Sequence, residues 1–144
     1  DLAQCSIQKF LDNYSANDGK ARSKYLYLKP LPGRDEMLPR YLSGHLCNAM
    51  TQPELFLITL SGLSQLHVAS SNPERWLERR LGKQVLKMLS RNLTEFETVG
   101  LEALSESRLL ELINDYGVIT SAATKEVINW LKGRYKFDPN CLTD

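Results

Sequence analysis

The chain carries two histidines and three cysteines, and nucleophilic, general-base or metal chemistry would have to be built from these side chains. His45 stands two residues from Cys47 in Gly44-His45-Leu46-Cys47. In the helix predicted around them, residues two apart point about 200° from each other, so imidazole and thiol share no proton. His67 also falls within a predicted helix, and both histidines are read as partly buried, hydrogen-bonded residues. Cys5, Cys47 and Cys141 cannot all pair, and none has the Cys-x-x-Cys or Cys/His spacing of a zinc site. A reducing compartment is the simpler setting for them. Ser6-Ile7-Gln8-Lys9 matches Ser-x-x-Lys, but the companion Ser-Asp-Asn and Lys-Thr-Gly boxes do not occur. The sequence contains no glycine-rich phosphate loop, no His-Glu-x-x-His and no calcium loop. The reading is a non-enzymatic protein with no cofactor, no metal and no small-molecule substrate.

Charge distribution says more than charge total. The chain has 18 basic and 17 acidic residues in 144, which excludes a uniformly basic nucleic-acid binder. The signs are nevertheless segregated: residues 20–40 and 74–92 each hold six basic and two acidic side chains, whereas residues 93–115 hold one and six. Helix-start preference and solvated faces explain most of the acidic cluster, with Glu54 and Glu97 read as cap partners. The basic residues Arg75, Arg79, Lys83 and Lys87 are four apart, so on one continuous helix they form a stripe on one face. That stripe is the candidate partner-binding surface, for an acidic protein partner or a phosphate backbone.

The elements that must position these residues are helical. Leu occurs 25 times against 10 for Val and Ile together, and Leu keeps its rotamer freedom in a helix where β-branched residues lose theirs. Ile7, Phe10, Leu11 and Tyr14 predict a first helix over residues 2–14. Residues 19–34 read as a basic, irregular connector closed by Pro30-Leu31-Pro32-Gly33, with at most a short edge strand at Tyr25–Leu28. A second helix is expected from Asp35 to Met50, with Pro39 in its first turn. Thr51-Gln52-Pro53-Glu54 has the pattern of a capping box and opens a third, central helix. Ser71-Asn72-Pro73-Glu74 opens a fourth, running to Arg91. Thr94 starts a short fifth, Ser105 caps a sixth that Gly117 ends, and Ser121 to Tyr135 form the last.

Leu109-Leu110-Glu111-Leu112-Ile113-Asn114-Asp115-Tyr116-Gly117-Val118-Ile119-Thr120-Ser121, continuing to Leu131, resembles the SAP motif on Leu109, Ile113, Gly117, Val118, Thr120, Ser121, Glu126, Val127 and Leu131. The resemblance covers residues 108–131. It implies a helix, an extended link and a second helix that bind DNA, with Lys125, Lys132, Arg134 and Lys136 as phosphate contacts.

The expected architecture is all-α, a compact bundle of six or seven helices packed as antiparallel hairpins over residues 1–137, with a frayed tail at 138–144. The uncharged run from Leu55 to Ser71 holds Thr59, Ser61, Gly62, Ser64, Gln65 and His67, so it reads as a buried helix rather than a membrane span. The functional expectation is a helical protein–protein interaction domain of a larger intracellular protein, cytoplasmic or nuclear. Nucleic-acid binding through the SAP-like hairpin and the basic helix face is the alternative.

Overall fold

The helix α1, Pro53–His67, begins where the sequence places it, with proline in its first turn after an extended Gln52. A computed structural model describes residues 9–68 and 72–141. No capping box forms at the start of α1. Its first amides, those of Glu54 and Leu55, instead donate to the two carboxylate oxygens of Glu126, each at 3.0 Å. Thr51 is held by Asn17, whose fully buried side chain accepts from the Thr51 amide at 2.8 Å and donates to Gln52 at 2.8 Å. Capping is thus supplied across the fold rather than locally, and it ties the first turn of α1 to α5, Ala122–Leu131.

The predicted fourth helix is two helices, α2 (Pro73–Leu81) and α3 (Lys83–Arg91). Asn72 caps α2 by accepting from the Arg75 amide at 3.0 Å. Gly82 separates the two: its φ of 89° lies in the region only glycine enters freely, and nothing crowds the place where a Cβ would be. The turn lets Leu77 and Leu81 on one side, and Val85 and Leu89 on the other, reach the same core. The short fifth helix expected after Thr94 is present as a wide π-helix over Glu95–Val99, without a cap from the Thr94 side chain, followed by a tighter 3-10 turn over Leu101–Ala103. Ser105 caps α4, Glu106–Gly117, as expected. Ser121 and Thr124 form a reciprocal capping box on α5. That helix ends at Leu131, four residues before the expected Tyr135, and α4 runs through Gly117 to a cap at Val118.

Two predicted helices are replaced by other structure. Lys9–Asp12 is a strand, β1, paired in parallel with β2, Gly44–Cys47, so that Phe10 faces His45 and Asp12 faces Cys47 in register. The rest of the expected first helix, residues 2–8, lies outside the described residues. Over the expected second helix only a 3-10 turn at Leu38–Arg40 precedes β2. The apolar residues that suggested helical stripes, Leu11 and Leu46, stand in register and are 56% and 59% exposed, while Asp12, His45 and Cys47 turn inward. The usual inside-apolar alternation of a strand is inverted, which is why periodicity misread it.

Residues 19–34 form no strand, and they are not a mere connector. Leu26 and Leu28 are buried in the core, and the Leu26 amide donates to Phe96 O at 3.0 Å. The molecule is an all-α bundle with this extended segment laid into it. Trp130, Tyr116 and Phe96 fill its centre, the Phe96 and Trp130 rings edge to face at 5.3 Å. Each such ring buried brings roughly 2–3 kcal/mol from surface removed from water. Pro139–Cys141 of the expected tail form a 3-10 turn, and residues 142–144 lie outside the described region. Among the described residues no helix is long and apolar enough to cross a membrane.

Candidate functional site

The basic residues singled out in the sequence are all at the surface. Arg75 and Arg79 lie on α2, Lys83 and Lys87 on α3, and all four are exposed. Because Gly82 breaks the helix, they do not form one straight stripe; they are two basic pairs on two successive segments. None of the four is in an ion pair with a described residue. Elsewhere the segregated charges find each other: Lys24 meets Glu102 at 3.4 Å, Lys29 meets Glu97 at 3.0 Å, Arg91 meets Asp115 at 3.1 Å and Arg108 meets Glu95 at 2.7 Å. The acidic segment therefore pairs with Lys24 and Lys29 of residues 19–34 and with Arg91 at the end of α3, while Arg34 is taken by Asp12. Arg75 and Arg79 of α2 and Lys83 and Lys87 of α3 are left outside these pairs. Glu54 is not a cap but pairs with Arg80, and Glu97 accepts from the Tyr14 hydroxyl and the Leu28 amide.

Beside the α2 arginines lies an apolar groove that the sequence did not single out. It has a volume of about 500 Å³ and runs between α1 and the start of α2, lined by Leu57, Leu60, Ser61, Ser64, Asn72, Pro73 and Trp76. Leu57, Leu60 and Ser64 follow the three-to-four spacing of one helix face, and Trp76 is 47% exposed at the rim. In the sequence Trp76 reads as an inward residue. It faces outward because Leu77 and Leu81 take the buried side of the short α2. Arg79 and Arg80 follow Trp76 by one helical turn, so the large exposed ring and positive charge share a face.

A second constellation sits beneath β1 and β2. The Asp12 carboxylate is fully buried and receives Arg34 in a fork, Nε to Oδ2 at 2.5 Å and Nη2 to Oδ1 at 2.8 Å, with the Tyr14 amide also donating at 2.9 Å. Burial pushes its carboxyl up, but these hydrogen bonds and the guanidinium charge outweigh that and hold it below the ordinary value. His45 Nε2 lies 3.6 Å from Asp12 Oδ2, and His45 Nδ1 lies 3.2 Å from Nε2 of His67 on the last turn of α1. His45 and Cys47 share the inward face of β2, contrary to the helical geometry expected of them. Burial pushes the Cys47 thiol up, the opposite of what a nucleophile needs. A cavity of about 470 Å³ opens onto both imidazoles between Ser43 and Ser64.

The SAP-like residues occupy α4, a short link and α5. Lys125, Lys132, Arg134 and Lys136 are exposed, whereas Glu126 is buried as the cap of α1. Comparison with known proteins finds no matching family model, no matching curated protein and no matching solved structure.

Proposed function

We propose that this chain is a non-enzymatic protein–protein interaction domain of a larger intracellular protein, and that it binds an amphipathic helix of its partner in the groove between α1 and α2. The observation that carries the reading is Trp76: a large ring half in solvent at the mouth of an apolar groove, flanked on α2 by Arg75 and Arg79, neither in an ion pair with a described residue. Exposed tryptophan and arginine side by side are the residue types that dominate binding energy at interfaces. An apolar helical groove takes a partner helix through residues spaced i, i+3/i+4 and i+7. The charge of Arg75 and Arg79, extended by Lys83 and Lys87, selects a partner helix that is acidic along one edge, through faster association more than through affinity.

Selection of helical peptides from a displayed library tests this. Winners on the whole chain should carry an apolar stripe with Asp or Glu beside it, and should lose at least about tenfold in affinity on Trp76→Ala, as hot-spot aromatics do. Winners that bind the Trp76→Ala chain equally well would refute the groove.

A second reading is a nucleic-acid-binding module that uses the SAP-like hairpin. It is favoured by the four exposed cations Lys125, Lys132, Arg134 and Lys136, none of them in an ion pair with a described residue. Phosphate contacts would make affinity for a DNA duplex fall steeply with the logarithm of salt concentration. Absence of binding to duplex and single-stranded probes at low salt would remove this reading.

A further inference from the structure

We propose that His45 and His67 form a two-histidine site for a zinc-class divalent cation, with Nδ1 of His45 and Nε2 of His67 as the protein ligands. The residues come from unrelated elements, β2 and the last turn of α1, and converge nitrogen to nitrogen at 3.2 Å with ring centroids 5.3 Å apart. Two imidazoles on a tetrahedral zinc, each at about 2.0–2.1 Å, have their nitrogens about 3.3–3.4 Å apart and their ring centres about 5.2 Å apart. The observed spacing needs an adjustment of only tenths of an ångström.

The surroundings fit a metal ligand as well as the spacing does. His45 turns its other nitrogen toward Asp12, 3.6 Å away, and Asp12 is itself locked by Arg34 and the Tyr14 amide. The Asp12 charge, beyond hydrogen-bond distance in this conformation, favours the proton on the nitrogen nearer to it, Nε2, and so a lone pair on Nδ1, the atom that faces His67. The His45 side chain is 2% exposed and so is fixed by its packing, while His67 is exposed and gives a cation an entry path. Among the described residues no group of three His, Cys, Asp or Glu side chains could hold a metal. The cavity lined by both imidazoles, Ser43 and Ser64 is where water or a ligand's donor atom would complete the tetrahedron.

The test titrates zinc chloride into the whole, tag-free chain at neutral pH by calorimetry, with His67→Ala and Cys47→Ser beside it. Imidazole nitrogen shifts are recorded in parallel. The expected result is one zinc per chain, tight enough to saturate at micromolar zinc. Uptake should weaken at least about tenfold in His67→Ala and persist in Cys47→Ser, with the zinc-induced shifts on His45 Nδ1 and His67 Nε2 while His45 Nε2 keeps its proton. His67 is exposed, so its replacement leaves the fold intact, which the same spectra verify. Uptake that is absent, that is unchanged in His67→Ala, or that depends on Cys47 would overturn the site. In that event the contact between the two rings is an N–H···N hydrogen bond and not a metal site.

Discussion

At the residue scale, two buried carboxylates hold the fold in opposite ways. Glu126 caps a helix that is distant in sequence, accepting from the Glu54 and Leu55 amides. Burial raises its carboxyl above the ordinary value, against the lowering effect of those amides. Glu126→Ala leaves two helix-start donors without acceptors and should cost about 1–3 kcal/mol, read from urea unfolding. Because the folded-state value is raised, the contribution of Glu126 to stability is fullest below the ordinary carboxylate range and declines as pH rises through the raised value. Asp12 has the reverse sign. Its folded-state value is lowered, so its contribution is present above the ordinary carboxylate range and is lost as pH falls through the lowered value. Asp12→Asn should therefore lose about 2 kcal/mol at neutral pH, by stranding Arg34, and the difference from the parent chain should shrink in strong acid. A constant difference across pH would contradict the ion pair. Neither role was legible beforehand, because both partners lie far off in sequence: Asp12 and Arg34 are 22 residues apart, Glu126 and Leu55 71.

At the scale of elements, the helices with start signals were legible and the segments with polar inward faces were not. Proline in the first turn located α1 and α2, and serine caps located α4 and α5. Each signal acts locally: the proline through its own fixed φ, and the serines through bonds to neighbours in sequence. The strands failed because Asp12, His45 and Cys47 face inward, so apolar spacing pointed the wrong way. The division between α2 and α3 was missed because a single glycine, costing only about 1 kcal/mol inside a helix, does not by itself announce a break. Gly62 gives a sharp test of how closely the extended segment packs on α1. Alanine is the better helix former by about 1 kcal/mol. A Cβ at Gly62 would nevertheless lie 2.6 Å from the Pro30 carbonyl carbon and 2.8 Å from the Leu31 nitrogen. Both are backbone atoms, which cannot swing aside. Gly62→Ala should therefore destabilise the protein, by about 1–3 kcal/mol, visible as a lowered Tm. A raised Tm would mean that residues 30–31 do not rest on α1.

At the scale of the whole molecule, charge and apolar exposure meet in one place. The all-α class and the overall segregation of charge were readable from Leu content and from counting signs along the chain. The groove was not, because it arises only when the shortness of α2 turns Trp76 outward against Leu57 and Leu60 of another helix. Trp76→Ala should change folding stability by less than about 1 kcal/mol, since the ring is half in solvent, while abolishing most partner affinity. Reversing Arg75 and Arg79 to glutamate should slow association and flatten its salt dependence, with little change in dissociation; stopped-flow mixing at two ionic strengths separates the two.

The chain has two tryptophans, and they stand in contrasting settings. Trp130 is buried with its indole N–H on Ser23 O at 3.2 Å, and Trp76 is open to solvent. Following their two indole N–H signals by NMR, during titration with a selected acidic peptide and separately with a DNA duplex, tests the central claim most directly. The interaction-domain account predicts that the peptide moves the Trp76 signal together with the Leu57 and Leu60 amides, and that duplex leaves them in place. Movement of the Lys125 and Lys132 amides by duplex, with Trp76 still under every peptide, would contradict it.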